Sequence, residues 1–203
     1  MHRSFLIFAM GFVALIAGAL FYAARIPVQV ATPVTTAEPA VVANSDAPVY
    51  PSFKLADLDE NERDFTEWAG KHRLLNFWAT WCAPCRREIP LLKEFQDQHG
   101  DEGFQVIGIA VDFRDQVTAY AETAEFNYPV LIGQDDAMAV AETSGVEFIG
   151  MPFTMIVAAD GELINTHVGE IRDSHLEQIV RVFTLLDTGE IDKESARKAL
   201  DFL

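Results

Sequence analysis

Cysteine is scarce in this chain of 203 residues: Cys82 and Cys85 are its only two. Zinc would need two further ligands, yet there is no second cysteine pair, and none of the five histidines, at 2, 72, 99, 167 and 175, stands beside the first. Covalent haem attachment needs a histidine directly after the second cysteine, where Arg86 stands instead. A disulfide kept for stability alone would add little, since closing a loop of about four residues stabilises by roughly 2 kcal/mol. Basic residues are scarce as well, 15 Lys and Arg against 31 Asp and Glu, for a net charge of −16. All 31 acidic residues and 13 of the 15 basic ones lie at or after Glu38, so that part of the chain repels phosphate backbones and nucleic-acid binding is excluded. No internal repeat is visible. With 50 % hydrophobic and 23 % charged residues the composition is globular, neither disordered nor collagen-like.

Acidic residues are absent from the start of the chain, and what stands there is apolar. Phe5 to Ala24 reads FLIFAMGFVALIAGALFYAA, 20 residues without a charge. As a helix rising about 1.5 Å per residue it spans the roughly 30 Å hydrocarbon core of a bilayer. A signal peptide is the competing reading, but its apolar region usually runs about 7–15 residues, and Phe21 and Tyr22 spoil a small-x-small cleavage site around Ala23 and Ala24. Residues 1–27 therefore read as an uncleaved single-pass anchor, with Ala17-Gly18-Ala19 as the alternative cleavage region. Arg3, His2 and the α-amino group slightly outweigh Arg25, which puts the N-terminus in the cytoplasm and the remaining chain outside it, where disulfide chemistry is permitted. Residues 28–48, rich in Pro, Ala, Thr and Val, form a semi-extended tether.

The domain begins near residue 49. Short extended pieces are expected at Tyr50–Leu55 and Arg63–Phe65, then buried strands at Leu74–Ala79 and Phe104–Val111. Ala83–His99 carries Ile89, Leu92 and Phe95 on one helical face and is bent by Pro90. A helix at Asp115–Phe126, a short strand at Val130–Ile132 and a helix from Asp135 to Ser144, stopped by Gly145, come next. Thr154–Val157 and Leu163–Val168 flank Asp160-Gly161, a hairpin signal. Ser174 and Glu177 suggest a capping box for a helix ending near Gly189, and Lys193–Phe202 is a peripheral last helix with Glu194 and Lys198 at i, i+4. This order predicts a three-layer α/β/α domain with a mixed sheet over residues 49–189, parallel where helices join the strands and antiparallel at the final hairpin. Residues 190–203 are a C-terminal helical extension.

Cys82 and Cys85 sit where a buried strand hands over to a helix. A thiolate at a helix N-terminus is stabilised by unpaired N–H groups and the dipole, and the two-residue spacing brings the second sulfur within reach. Redox chemistry follows, with a copper shuttle as the alternative for a bare cysteine pair. The segment LLNFWATWCAPCRREIPLL resembles the active-site stretch of the TlpA/ResA group, membrane-tethered thioredoxin-like thiol-disulfide oxidoreductases that work outside the cytoplasm. Gly150-Met151-Pro152-Phe153-Thr154 resembles that group's cis-proline loop, and the resemblance runs from about residue 50 to about residue 186.

The resemblance implies a thioredoxin-like fold and no cofactor beyond a redox-active Cys82–Cys85 disulfide. Cys82 is then the exposed attacking thiolate and Cys85 the resolving thiol. Trp81 shields the pair and shapes the client surface, unless it is a core aromatic; Ala83 and Pro84 tune the redox poise. Met151 and Pro152 offer a backbone edge to an extended client. Glu88, on the helical face of Cys85, matches a glutamate of that group's active site and is expected to move protons for Cys85, unless it merely complements the helix dipole. Asn76 stands where thioredoxin has a buried aspartate, so that acid–base route is absent. Arg86 and Arg87 read as solvated charges, and the domain's histidines as surface or packing residues. The implied partners are client protein thiols or disulfides, a membrane electron donor, and the membrane itself through the N-terminal helix. A reductant role is expected, with apocytochrome c or copper-site thiols as client classes; an oxidant or isomerase and a non-catalytic copper carrier are the alternatives. A peroxidase would need its cysteine on a different loop.

Overall fold

The computed structural model describes residues 52–143, 150–201 and 203. The expected anchor at Phe5–Ala24, the tether and the stop at Gly145 lie outside the described residues. Among the described residues, seven strands form one mixed sheet: β1 (Lys54–Asp57), β2 (Glu62–Asp64), β3 (His72–Trp78), β4 (Phe104–Val111), β5 (Val130–Gly133), β6 (Phe153–Val157) and β7 (Leu163–Val168), in the spatial order β2-β1-β5-β4-β3-β6-β7. Five α-helices accompany them among the described residues: α1 (Ala83–His99), α2 (Arg114–Ala124), α3 (Asp135–Thr143), α4 (Asp173–Asp187) and α5 (Lys193–Leu200).

β3 is buried along its whole length because both sheet faces are covered. Leu74 and Trp78 pack with residues of α1, α2, α4 and α5 on one face, while Leu75 and Phe77 pack with α3 and the 3-10 turn Phe65–Trp68 on the other. The three layers expected from the element order are present. Only β3, β4 and β5 are parallel to one another; β1 pairs antiparallel with β5, so both borders of the sheet are antiparallel, not just the hairpin side.

Several local expectations shift. The second extended piece ends at Asp64, because the Asp64 carboxylate and Glu67 close a capping box that starts the 3-10 turn at Phe65. Ser174 caps nothing: α4 starts at Asp173, with Arg172 as N-cap and no side-chain cap, so Ser174 already lies inside the helix. The Asp160-Gly161 turn is wider than a two-residue hairpin, with Gly161 N–H donating to the Ala158 carbonyl and Ala158 N–H to that of Glu162. Gly161 holds φ +96°, which is where glycine is needed.

The last helix is not peripheral. Ala196 and Leu200 are fully buried in the α1/α4 core, and the buried carboxylate of Glu162 on the hairpin takes ion pairs from both Lys193 and Arg197. Asn165 on β7 and Gln178 on α4 donate to the carbonyls of Leu200 and Ala199, satisfying the otherwise open C-terminus of α5. The extension therefore belongs to the domain. Replacing Leu200 by Ala is expected to cost about 2–4 kcal/mol of unfolding free energy in urea titration. Glu194→Ala, which removes only the exposed pair with Lys198, should cost less than about 0.5 kcal/mol.

Candidate active site

The parallel register of β3 and β4 pairs Trp78 with Ala110, and the antiparallel register of β6 pairs Phe77 with Phe153 and Phe153 with Val168. The segments leaving β3, β4 and β7 and the one entering β6 consequently meet at one end of the sheet. Both cysteines are at that end. After Trp78 the chain turns tightly, Cys82 N–H donating to the Ala79 carbonyl at 3.1 Å, and Cys82 becomes the N-cap of α1. Its sulfur accepts the Cys85 N–H at 3.3 Å, which is the helix-terminus contact that favours a thiolate once the bond is reduced. Pro84 sits in the first turn, where its missing N–H costs no helical bond. The two sulfurs are joined as a disulfide with Cα atoms 5.3 Å apart.

Cys82 is less open than expected. Cys82 is only 5 % exposed and Cys85 is fully buried, because both pack in the apolar cluster on the α1 face of the sheet. Of the two, only Cys82 keeps any surface in contact with solvent. Trp81 is 68 % exposed, which removes the core-aromatic alternative. Met151–Pro152 is a cis peptide, and Met151 packs against the cluster that contains the two cysteines. Arg86 is solvated and Arg87 pairs with Glu170, so neither guanidinium is committed to the sulfurs.

Glu88, one turn after Cys85 on the same helical face, is 1 % exposed. Its Oε1 accepts Asn76 Nδ2–H at 2.7 Å and its Oε2 accepts the Ile171 N–H at 2.7 Å. The same Asn76 nitrogen donates to Thr154 Oγ1 at 3.0 Å. Burial pushes the carboxyl from its ordinary 4.5 up to about 7, against the downward pull of those two donors. A solvated first-turn carboxylate complementing the dipole is thereby excluded. Asn76 cannot titrate, but it hydrogen-bonds the acid that does, and its Oδ1 is left without a partner. An amide carries both a donor and an acceptor, so rotated by half a turn it presents an oxygen to a protonated Glu88.

Two site features were not foreseen. Asp112, just past β4, accepts the Thr80 N–H at 2.8 Å and the Thr80 hydroxyl at 2.5 Å on Oδ2, and the Phe113 N–H at 2.8 Å on Oδ1. It pins the turn carrying Trp81 and Cys82 to the neighbouring strand's loop. Residues 169–171 form the second, with Gly169 N–H on the Pro152 carbonyl at 2.8 Å, Glu170 on Arg87, and Ile171 N–H on Glu88. Backbone donors leave no mark in side-chain identity, and Asp112 is legible only once Trp78 is registered against Ala110. The domain's histidines pack as expected: His72 on Phe183, His99 on Phe95 and Phe104, and His167 on His175 at 4.7 Å between ring centroids.

Comparison with known proteins agrees with this geometry. The Redoxin family model matches residues 43–180. Thiol-disulfide oxidoreductase ResA of Geobacillus kaustophilus is 31 % identical over 149 residues, covering 71 % of this chain and 82 % of that protein. The thioredoxin-like protein YneN of Bacillus subtilis is 32 % identical over 134 residues, covering 63 % and 74 %. Among solved structures, a thioredoxin-family thiol:disulfide interchange protein of Chlorobium tepidum superposes with a TM-score of 0.62 at 28 % identity, over 68 % of this chain and 97 % of that one.

A carboxyl whose pKa is raised on folding costs stability as it ionises. Glu88 therefore imposes nothing below about pH 4.5 and its full cost above about pH 7. Between pH 5 and pH 8 the oxidised protein should lose about 2–3 kcal/mol through this group. Glu88→Gln, whose amide Asn76 can meet by turning, should show no such loss when chemical denaturation is compared at the two pH values.

Proposed function

This chain belongs to the Redoxin family and is a thiol-disulfide oxidoreductase of the ResA type, and from that premise we propose that it is a disulfide reductant working outside the cytoplasm, tethered to the membrane by its N-terminal segment. The observation that carries the proposal is the Cys82–Cys85 pair at the N-terminus of α1, with Glu88 buried one turn below Cys85. The uncharged run Phe5–Ala24 and the proline-containing segment after it support the location.

In the reduced protein the Cys82 thiolate attacks one sulfur of a client disulfide. A Cys82–client disulfide forms, and the displaced client thiolate takes up a proton. Cys85 then loses its proton and attacks the Cys82 sulfur, which closes Cys82–Cys85 and releases the second client thiol. Two electrons pass to the client, and Cys82–Cys85 leaves oxidised. Glu88 is placed to take the Cys85 proton, since its carboxyl changes charge near neutral pH. Trp81 and the Met151–Pro152 edge receive the client segment, Ala83 and Pro84 set the redox poise, and a membrane dithiol donor restores the reduced pair. Clients of this chemistry are envelope proteins whose cysteines must be reduced before they receive haem or copper.

The deciding measurement is the reduction potential of Cys82–Cys85 in the detergent-solubilised full chain, equilibrated against thiol buffers. A value at or below about −220 mV is expected, and one near −120 mV would reverse the direction of electron flow. For the proton step, stopped-flow exchange should accelerate as pH rises through about 7 in the native protein. Glu88→Gln should be slower by about tenfold or more at pH 8 and should lack that rise; equal rates and profiles would remove Glu88 from the mechanism.

A further inference from the structure

Among the described residues the exposed large apolar side chains are Trp81, Phe113 at 61 % and Val168 at 50 %. All three lie at the end of the sheet that carries the disulfide. Trp81 and Phe113 each follow by three residues a pair, Trp78 and Ala110, that is in direct register on neighbouring parallel strands. Val168 pairs with Phe153, the residue next to Pro152. Large apolar groups left in water at one edge of a reactive centre mark an interaction surface.

These groups are held in place. Asp112 accepts from Thr80 with one oxygen and from Phe113 N–H with the other, so the backbones bearing Trp81 and Phe113 share one buried anchor. Val168 ends a paired strand, and the next residue, Gly169, is bonded to the Pro152 carbonyl. Following the strand order β4-β3-β6-β7, the row runs Phe113, Trp81 with Cys82, Met151-Pro152, Val168. At roughly 4.8 Å per strand spacing it is on the order of 14 Å long. An extended peptide at about 3.3 Å per residue covers that in four or five residues.

Resting on the reading of Cys82 as the client-attacking thiolate, we propose that Phe113 is a specificity-determining contact of this protein. It binds a large apolar side chain within about two residues of the client's reacting cysteine, on the opposite side of Cys82 from Pro152. Val168 closes the other end of the row. The occupant is a cysteine-bearing segment in extended conformation with apolar neighbours.

The test uses the full chain in detergent and seven-residue peptides whose central cysteine carries glutathione as a mixed disulfide. Phe is placed in turn at each flanking position of an otherwise serine-rich peptide, with oxidised glutathione itself as the small probe. Phe at one position within two residues of the cysteine should raise the exchange rate constant about tenfold. Phe113→Ser should erase that gain and leave the rate with oxidised glutathione within about twofold, while Phe113→Leu retains most of the gain. A gain that survives Phe113→Ser, or an equal slowing with oxidised glutathione, overturns the inference and leaves the oxidoreductase reading intact. A dimer in sedimentation that Phe113→Ser dissolves, with peptide rates unchanged, assigns the row to self-association and also overturns it. Failure of the native protein to exchange with any peptide overturns both readings.

Discussion

A carboxylate removed from water must be held by protein donors, and Glu88 is held by two that come from different parts of the chain. One is Asn76 in the middle of β3; the other is the backbone of Ile171 in the loop between β7 and α4. Asn76 in turn reaches Thr154 on β6. Helix α1, the two strands beside it and the loop that touches Pro152 are thus tied through a single buried acid. The arrangement is costly, since burial raises the carboxyl to about 7. That cost provides a carboxyl that changes charge near neutral pH, one helical turn from Cys85.

The rest of the active end serves to bring four segments together at one edge of the sheet. Parallel pairing of β3 with β4 and antiparallel pairing of β6 with β3 put two strand exits and one strand entry side by side. Strand pairing alone does not set the loops beyond it. Asp112 does this between the first two, and the Gly169 N–H does it for the cis-proline loop. Both are buried or backbone contacts, less screened by solvent than surface pairs such as Glu194–Lys198.

The C-terminal extension shows the same economy of anchoring. Glu162 beside the hairpin turn is buried and carries two cations from α5, while Ala196 and Leu200 fill the core beneath. Read from its charges alone the helix looks solvated, because Lys193, Glu194, Arg197 and Lys198 dominate its composition. Two of those cations turn inward to the hairpin, which amphipathic spacing could not indicate.

Much of the fold and the reactive pair was legible in the chain order of residues. The continuous apolar runs of β3 and β4, the helix with Cys82 at its mouth, and Asp160-Gly161 between two apolar segments all act through nearest neighbours, and local patterning reports them directly. Only the folded molecule decided what each polar residue faces. Asn76 and Glu88 are 12 positions apart, Thr80 and Asp112 are 32, and Glu88 and Ile171 are 83. These contacts arise from strand register and from backbone donors. A residue's identity states what bonds it can make, whereas its partner is selected by where the sheet places it.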